Sequence, residues 1–248
     1  MEKKVALVTG GVGGIGTAVC RRFAKDGWFA VANYAIQGSE EKWLAAMTAS
    51  GYADASALAF GDVTDFDAMG RMVHEIEAKH GPVAALVNCA GITRDATFRK
   101  MTPEQWHAVI ATNLDSVFNV TRHVIDGMVE RGWGRIINIS SVNATRGQFG
   151  QTNYASAKAG ILGFTKSLAQ EVVRKGVTVN AVSPGYVQTD MVMAIRDDVR
   201  AKIEAEIPAG RFATPDEIAH AVAFLASDGS AYITGTNLAV NGGLHMYS

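Results

Sequence analysis

Two cysteines in 248 residues, Cys20 and Cys89, are too few to frame a disulfide-stapled fold. Cys20 falls in a predicted helix and Cys89 just after a predicted strand, which fits a reducing cytoplasm. Neither sign of charge is in excess: 23 Lys and Arg against 24 Asp and Glu leave a net charge of −1, with the signs interspersed. That excludes the basic footprint of a nucleic-acid-binding chain. No apolar run approaches the ~20 residues that cross a bilayer, and residues 1–4 read as the lead-in to a strand rather than a signal peptide. The six histidines and two cysteines nowhere take metal-ligand spacing. Repeats, low-complexity tracts and linkers are missing too. The chain is therefore expected to act in the cytoplasm without a metal, a membrane or a nucleic acid.

What is present is a steady alternation. Hydrophobic residues make up 48 % of the chain, enough to bury one large core. Short β-branched runs predict strands at 5–8, 29–33, 55–60, 84–87, 135–139, 177–182 and 237–240. Amphipathic stretches between them predict helices at 15–25, 40–49, 65–79, 102–130 with a break near Asn113, 151–174 and 215–226. Residues 188–208, after the break at Pro184-Gly185, are polar and suit short helices. Strand-helix alternation throughout implies a doubly wound parallel α/β sheet with helices on both faces. Nothing in the composition marks a second domain, so residues 1–248 read as one.

The sharpest chemistry lies between Ser141 and Lys158. Tyr154 and Lys158 are four apart and share a helix face one turn from each other. A phenol keeps its proton to pH ~10; a fixed ammonium beside it favours the phenolate and lowers that value toward the range of a general acid/base. Ser141, at the end of the preceding strand, can orient a carbonyl oxygen beside the phenol. These parts suit proton transfer to or from an oxygen. A surface tyrosine packed on a lysine stem explains the spacing equally well on its own, so the pair gains meaning only with a hydride donor nearby.

The first strand runs into Thr9-Gly10-Gly11-Val12-Gly13-Gly14-Ile15-Gly16. Glycines there permit a tight turn and close approach of backbone N–H groups to a diphosphate, and the following helix N-terminus adds partial positive charge. Between a strand and a helix the motif favours a dinucleotide, which supplies the hydride; a glycine-rich turn without a ligand is the alternative. Asp62-Val63, after the third strand, can place a carboxylate near an adenine amine. Asn88-Cys89-Ala90-Gly91, after the fourth, can bring backbone against the adenosine side. Each is also ordinary loop chemistry when taken alone.

In order along the chain, Thr9-Gly10, Gly14, Gly16, Asn88, Ala90-Gly91, Asn113, Ser141, Tyr154, Lys158 and Ser183-Pro184-Gly185 resemble the short-chain dehydrogenase/reductase family over essentially the whole length. The resemblance implies a single Rossmann-type domain and an oxidoreductase using NADH or NADPH. Tyr154 would be the general acid/base, Ser141 would hydrogen-bond the substrate oxygen, Lys158 would hold the nicotinamide ribose, and Asn113 would bind a relay water through its backbone. The nucleotide would lie on Gly10, Gly13, Gly14, Ile15, Gly16, Tyr34, Ser39, Asp62, Val63, Asn88, Ala90, Gly91, Tyr154, Lys158, Pro184, Gly185 and Val187. One departure is Cys89, where many members carry a second asparagine.

Within the family, residues 91–95, 98–101, 126–128, 131–134, 147–154, 183–186 and 241–246 are similar to those of bacterial acetoacetyl-CoA reductases, which make (R)-3-hydroxybutyryl-CoA for polyhydroxybutyrate synthesis. Carried over by position, Asp95, Lys100, Ser141, Gln148, Phe149, Gln151, Tyr154 and Tyr186 would line the acyl-CoA pocket. A 3-oxoacyl-acyl-carrier-protein reductase shares the site and the reaction. Its acidic carrier needs a basic docking patch, which Arg131, Arg174 and Lys175 can supply; Arg94, Arg99, Lys100 and Arg196 equally suit the phosphates of coenzyme A. A non-catalytic nucleotide sensor is disfavoured by the complete Ser-Tyr-Lys set. The resemblance also implies a homotetramer packed through helices 102–130 and 151–174, and the polar segment 187–211 reads as a mobile lid over the substrate.

The cofactor's 2′ position departs from these relatives. They typically prefer NADPH and carry arginine in the loop that here spans residues 33–42, where no arginine occurs. Glu40 and Glu41 fall in its place, with Lys42 the only cation. Two carboxylates facing a 2′-phosphate would weaken NADPH, so NADH is expected to serve at least as well. The alternative is that both glutamates open the next helix, where acids favour the N-terminus, and point to solvent.

Overall fold

Alanine, valine and leucine runs that bury both faces fold as parallel strands, as continuous apolar segments of this length must when helices cover them. In the computed structural model, which describes residues 3–246, these are β1 (Val5–Val8), β2 (Phe29–Tyr34), β3 (Ser56–Phe60), β4 (Val83–Asn88), β5 (Gly134–Ile139), β6 (Val177–Pro184) and β7 (Asn237–Val240). Residues 1 and 2, expected to lead into the first strand, lie outside the described residues. The strands form one parallel sheet in the order β3-β2-β1-β4-β5-β6-β7. The fold is thus α/β, a Rossmann-type sheet flanked by helices.

The helices are α1 (Gly14–Lys25), α2 (Glu40–Ala49), α3 (Phe66–His80), α4 (Pro103–Ile110), α5 (Ser116–Arg131), α6 (Asn143–Arg146), α7 (Thr152–Val172), α8 (Asp190–Met193), α9 (Asp197–Glu206) and α10 (Pro215–Ala226). One sheet face is sealed by Phe23, Trp43, Met47, Ile218 and Leu225 from α1, α2 and α10. The other is sealed by Met69, Met72, Val124, Met128 and Val172 from α3, α5 and α7. Each fully buried side chain of this size contributes ~1.5–3 kcal/mol, so the sheet is fixed from both sides.

Three elements differ from expectation in ways that bear on the site. The helix expected over 102–130 is α4 and α5 joined by one wide π-helical turn, Ala111–Asp115. That turn brings Asn113 fully inside, where its amide is taken up by another loop. The strand expected to stop at Val182 continues through Ser183 and Pro184, which pairs with Val240 at the end of the ladder. The turn α6 was not expected at all.

Asparagines fix the register of the central strands. Asn88 pairs directly with Asn138 across β4 and β5, donating to its Oδ1 at 2.8 Å, while Asn138 donates to Thr165 Oγ1 of α7 at 2.9 Å. On β6, Asn180 donates to the Ile233 carbonyl at 2.8 Å and accepts from the Thr236 N–H at 3.2 Å.

Candidate active site

The strand order reverses between β1 and β4, and crevices form at such switch points beyond the carboxyl ends of the strands. Here the crevice is a cleft of about 890 Å³. Its floor is the glycine-rich turn between β1 and α1. A side chain at Gly11 would put its Cβ 2.6 Å from Ala32 Cα, and one at Gly16 would strike the Gly10 carbonyl oxygen. Only glycine fits either place. Gly13, at the start of α1, makes no side-chain cap, so the first N–H groups of the helix remain available to an anion. This donor set, on a turn too tight for side chains, fits the diphosphate of a dinucleotide.

Thr9 Oγ1 accepts from the N–H groups of Cys89 (3.0 Å) and Ala90 (3.1 Å), tying the turn after β4 to the turn after β1. Asn113 clamps the next residues from the far side. Its Oδ1 accepts from Ile92 N at 2.8 Å and its Nδ2 donates to Ile92 O at 2.9 Å. Its side chain holds that loop by both the N–H and the carbonyl of Ile92.

Ser141, Tyr154 and Lys158 converge on the cleft wall. Ser141 follows the end of β5, and its Oγ accepts from Asn143 N at 3.1 Å. Tyr154 lies in the first turn of α7 with Lys158 one turn on. Lys158 is buried, donates from Nζ to the Ile139 carbonyl at 2.8 Å, and stands 5.7 Å from the centre of the Tyr154 ring. Ser140 Oγ donates to the Lys158 carbonyl at 2.8 Å, which seats that turn of the helix on β5.

The electrostatics differ from the sequence expectation. Burial raises the Tyr154 pKa above the usual phenol value, and the hydrogen bond to Ser141 pulls the other way without reversing it. Burial also lowers Lys158 from 10.5 to about 8. The ammonium gives its hydrogen bond to a carbonyl rather than to the phenol, and desolvation is the largest cause of the Tyr154 shift. Cys20 and Cys89 are free thiols; burial pushes Cys89 up to about 11.

Most of the residues expected around a nucleotide line the cleft: Gly10, Gly13, Gly14, Ile15, Gly16, Tyr34, Ser39, Asp62, Val63, Ala90, Gly91, Pro184, Gly185 and Val187. Asp62 is held by Thr64, whose N and Oγ1 both donate to its Oδ1 at 2.9 Å. Asn88 is not among the lining residues: its amide is buried between Asn138 of β5 and Thr121 of α5. Glu40 and Glu41 open α2 and do not line the cleft either, whereas Ser39 and Lys42 do. Glu41 is exposed, whereas one carboxylate oxygen of Glu40, Oε2, is buried without a hydrogen-bond partner.

The residues expected around a substrate gather beside the cleft. Gln151 donates to Asp95 Oδ2 at 2.9 Å and accepts from Asn143 Nδ2 at 3.0 Å, so a chain of hydrogen bonds runs from Asp95 to the residue that contacts Ser141. The Ala96 N–H to Gly150 carbonyl bond, at 2.9 Å, holds the two loops together. Phe149 is 87 % exposed on that wall. Gln148 and Lys100 are exposed there too. Tyr186 packs against Phe212 with ring centres 5.9 Å apart. Sequence reasoning missed Asn143, Thr189, whose side chain lies against Gly14, and Asp190. Thr189 and Asp190 line the cleft, and only their place just after β6 hinted at it.

A family model described as enoyl-(acyl carrier protein) reductase matches residues 11–245. The chain is 60 % identical over 246 residues to the acetoacetyl-CoA reductase of Allochromatium vinosum, covering 98 % of this chain and 99 % of that one. It is 47 % identical over 246 residues to the 3-oxoacyl-acyl-carrier-protein reductase of Escherichia coli (strain K12), covering 99 % and 98 %. Among solved structures, the crystal structure of an actinorhodin polyketide ketoreductase variant with NADPH matches with a TM-score of 0.94 at 35 % identity, covering 99 % of this chain and 98 % of that one.

Proposed function

Because the chain belongs to the short-chain dehydrogenase/reductase family, we propose that it reduces acetoacetyl-CoA to (R)-3-hydroxybutyryl-CoA with a nicotinamide nucleotide, as a step toward polyhydroxybutyrate. The observation that carries the reading is 60 % identity over nearly the whole chain to an acetoacetyl-CoA reductase, joined to a Ser-Tyr-Lys set gathered in one cleft. The full-length match is more specific than the enoyl reductase description of the family model.

In this reading each residue has a task. A nicotinamide nucleotide held on the glycine-rich turn would supply the hydride for the substrate's carbonyl carbon. Tyr154, kept protonated at neutral pH by burial, gives its phenolic proton to the carbonyl oxygen. Ser141, whose oxygen already accepts from Asn143 N–H, turns its own proton toward that oxygen and steadies the developing charge. Lys158 holds the nicotinamide ribose and places positive charge behind the phenol. Asn113 keeps the loop after β4 in place and serves the relay through its backbone. Asp95, Lys100, Gln148, Phe149, Gln151 and Tyr186 meet the acyl-CoA, and residues 187–211 close over it.

The nucleotide preference follows from α2. The expectation of NADH at least equal to NADPH required Glu40 and Glu41 to face the 2′-phosphate; Ser39 and Lys42, which line the cleft where the two glutamates do not, support the opposite preference. NADPH is thus the favoured donor in this reading. A homotetramer fits the surface: Phe118 of α5 is 52 % exposed and stacks on Phe66 of α3 with centres 5.8 Å apart. Gly163 leaves a flat place on α7, with nothing near a Cβ there.

The match to a 3-oxoacyl-acyl-carrier-protein reductase supports a second reading, with a carrier-protein thioester as substrate. Steady-state rates with acetoacetyl-CoA and with acetoacetyl-acyl-carrier protein, each against NADPH and NADH, test both. Higher kcat/KM with the carrier-protein substrate overturns the first reading; no nucleotide consumption with any acyl thioester leaves a nucleotide sensor.

A further inference from the structure

Among the described residues the cleft is lined by three cations, and each is already engaged. Lys158 is held by the Ile139 carbonyl, Arg21 by Asp216 at 2.5 Å, and Lys42 by Asp190 at 2.7 Å. Lys158 is buried and belongs to the catalytic set, and the Arg21–Asp216 pair joins α1 to α10. The Lys42–Asp190 pair differs from both. Its side chains are 82 % and 92 % exposed, and it joins the first turn of α2 to the first turn of α8, 148 residues further along the chain. It therefore links the adenosine wall of the cleft to the segment that follows β6. An exposed ion pair is worth little and is readily exchanged. A 2′-phosphate carries ~1.5–2 negative charges and several acceptor oxygens, more than the single charge of Asp190, whereas a 2′-hydroxyl carries none.

We propose that Asp190 is a cofactor-selectivity residue: it competes with the 2′-phosphate of NADPH for Lys42 and so holds down the enzyme's preference for NADPH over NADH. The inference rests on the nicotinamide-nucleotide reading of the cleft and adds a determinant that lies outside the α2 loop where such selectivity is ordinarily sought. NADPH has to displace Asp190 from Lys42 and then tolerate the freed carboxylate nearby. NADH leaves the pair intact.

The test is a fluorescence titration of NADPH and of NADH into the full-length protein with no acyl thioester present, for wild type, Asp190→Asn, Lys42→Gln and the double variant. Asp190→Asn is expected to tighten NADPH about threefold to fivefold, the range open to an exposed pair, and to leave NADH within about twofold. Lys42→Gln weakens NADPH, and in that background Asp190→Asn loses most of its effect, since the shared partner is gone. High salt erases the gain. Equal changes for both nucleotides, no change for NADPH, or a gain that survives high salt would each overturn the proposal. Asp190→Ser serves as a second variant if the asparagine form folds poorly, because both keep a residue suited to a helix start. Failure to turn over acetoacetyl-CoA while both nucleotides bind normally strikes at the substrate reading alone. Normal turnover with no Asp190 effect strikes at this inference alone.

Discussion

Lys158 holds its ammonium 5.7 Å from the centre of the Tyr154 ring while giving its hydrogen bond to the Ile139 carbonyl at 2.8 Å. The lysine is thereby positioned without being neutralised by a carboxylate, and burial lowers it from 10.5 to about 8. A charged group kept in so dry a place destabilises the fold that holds it.

The first prediction concerns that cost. In the unfolded chain Lys158 holds its proton up to pH 10.5, and in the folded chain only to about 8. The penalty is absent above 10.5, grows as the pH falls between those values, and is complete below 8, where it amounts to about 3 kcal/mol at 1.36 kcal/mol per unit. Lys158→Met removes it but leaves the Ile139 carbonyl without its donor, at about 1–3 kcal/mol. The variant should be inactive yet more stable at pH 7 by about 1 kcal/mol, and less stable than wild type by about 1–3 kcal/mol near pH 10.5, where only the lost hydrogen bond counts. Urea unfolding at pH 7 and pH 10 checks it, and a variant that loses stability at pH 7 contradicts the argument.

Tyr154→Phe deletes one oxygen from the cleft wall and leaves the glycine-rich turn untouched. Turnover should fall ~10²–10⁴-fold with nucleotide binding nearly unchanged. The raised phenol pKa gives the sign of the pH effect in the wild type. Reduction needs the protonated form and stays level through neutral pH, while the reverse oxidation needs the phenolate and climbs toward alkaline pH. Initial rates in both directions between about pH 6 and about pH 10 decide it; a variant keeping more than about a tenth of wild-type turnover removes Tyr154 from the chemistry.

Residues 187–211 carry the two short helices α8 and α9, and no residue of α9 is buried. Val187 anchors the segment beneath, at 5 % exposure, and bridges to Ala213 at its far end. The segment should exchange its amide hydrogens much faster than β4 or β5 when free, and slow markedly with nucleotide and acyl-CoA bound. Exchange as slow as in the core strands, and indifferent to ligand, would show that no lid closes there.

How much of this was legible beforehand follows from where side chains spend their hydrogen bonds. The glycine turn, Ser141, Tyr154 and Lys158 could be read because backbone geometry and helix spacing place them, and both are local properties. Asn88 could not: at the end of a strand it looks like a cofactor wall, and only its pairing with Asn138 shows that its amide is used inside the sheet. Glu40 and Glu41 were ambiguous because a helix start and a phosphate site lie in the same few residues. The phenol's shift was read with the wrong sign because spacing reveals a charge but not the dryness around it. Asp190 was beyond reach, since its partner lies 148 residues away.

Asn113→Ala should destabilise the chain by about 2–4 kcal/mol, because it strips partners from both the N–H and the carbonyl of Ile92 in a partly buried loop. The loss should appear in chemical denaturation, accompanied by weaker nucleotide binding as the loop after β4 relaxes. A stability change under about 0.5 kcal/mol, the level of an ordinary surface substitution, would show that the clamp is dispensable.

The paired asparagines of β4 and β5 have a consequence for assembly as well as for the finished sheet. Strands built from alanine, valine and isoleucine can slide past one another by two residues and still present apolar faces to the same helices, so hydrophobicity alone accepts the wrong alignment. In this sheet such a slide sets Asn88 opposite Ile136 instead of Asn138 and strands amides in a dry interior, at about 1–3 kcal/mol for each unmet group. The misaligned sheet is disfavoured by that amount, so the same polar atoms that keep Asn88 out of the cleft also select the register of the sheet.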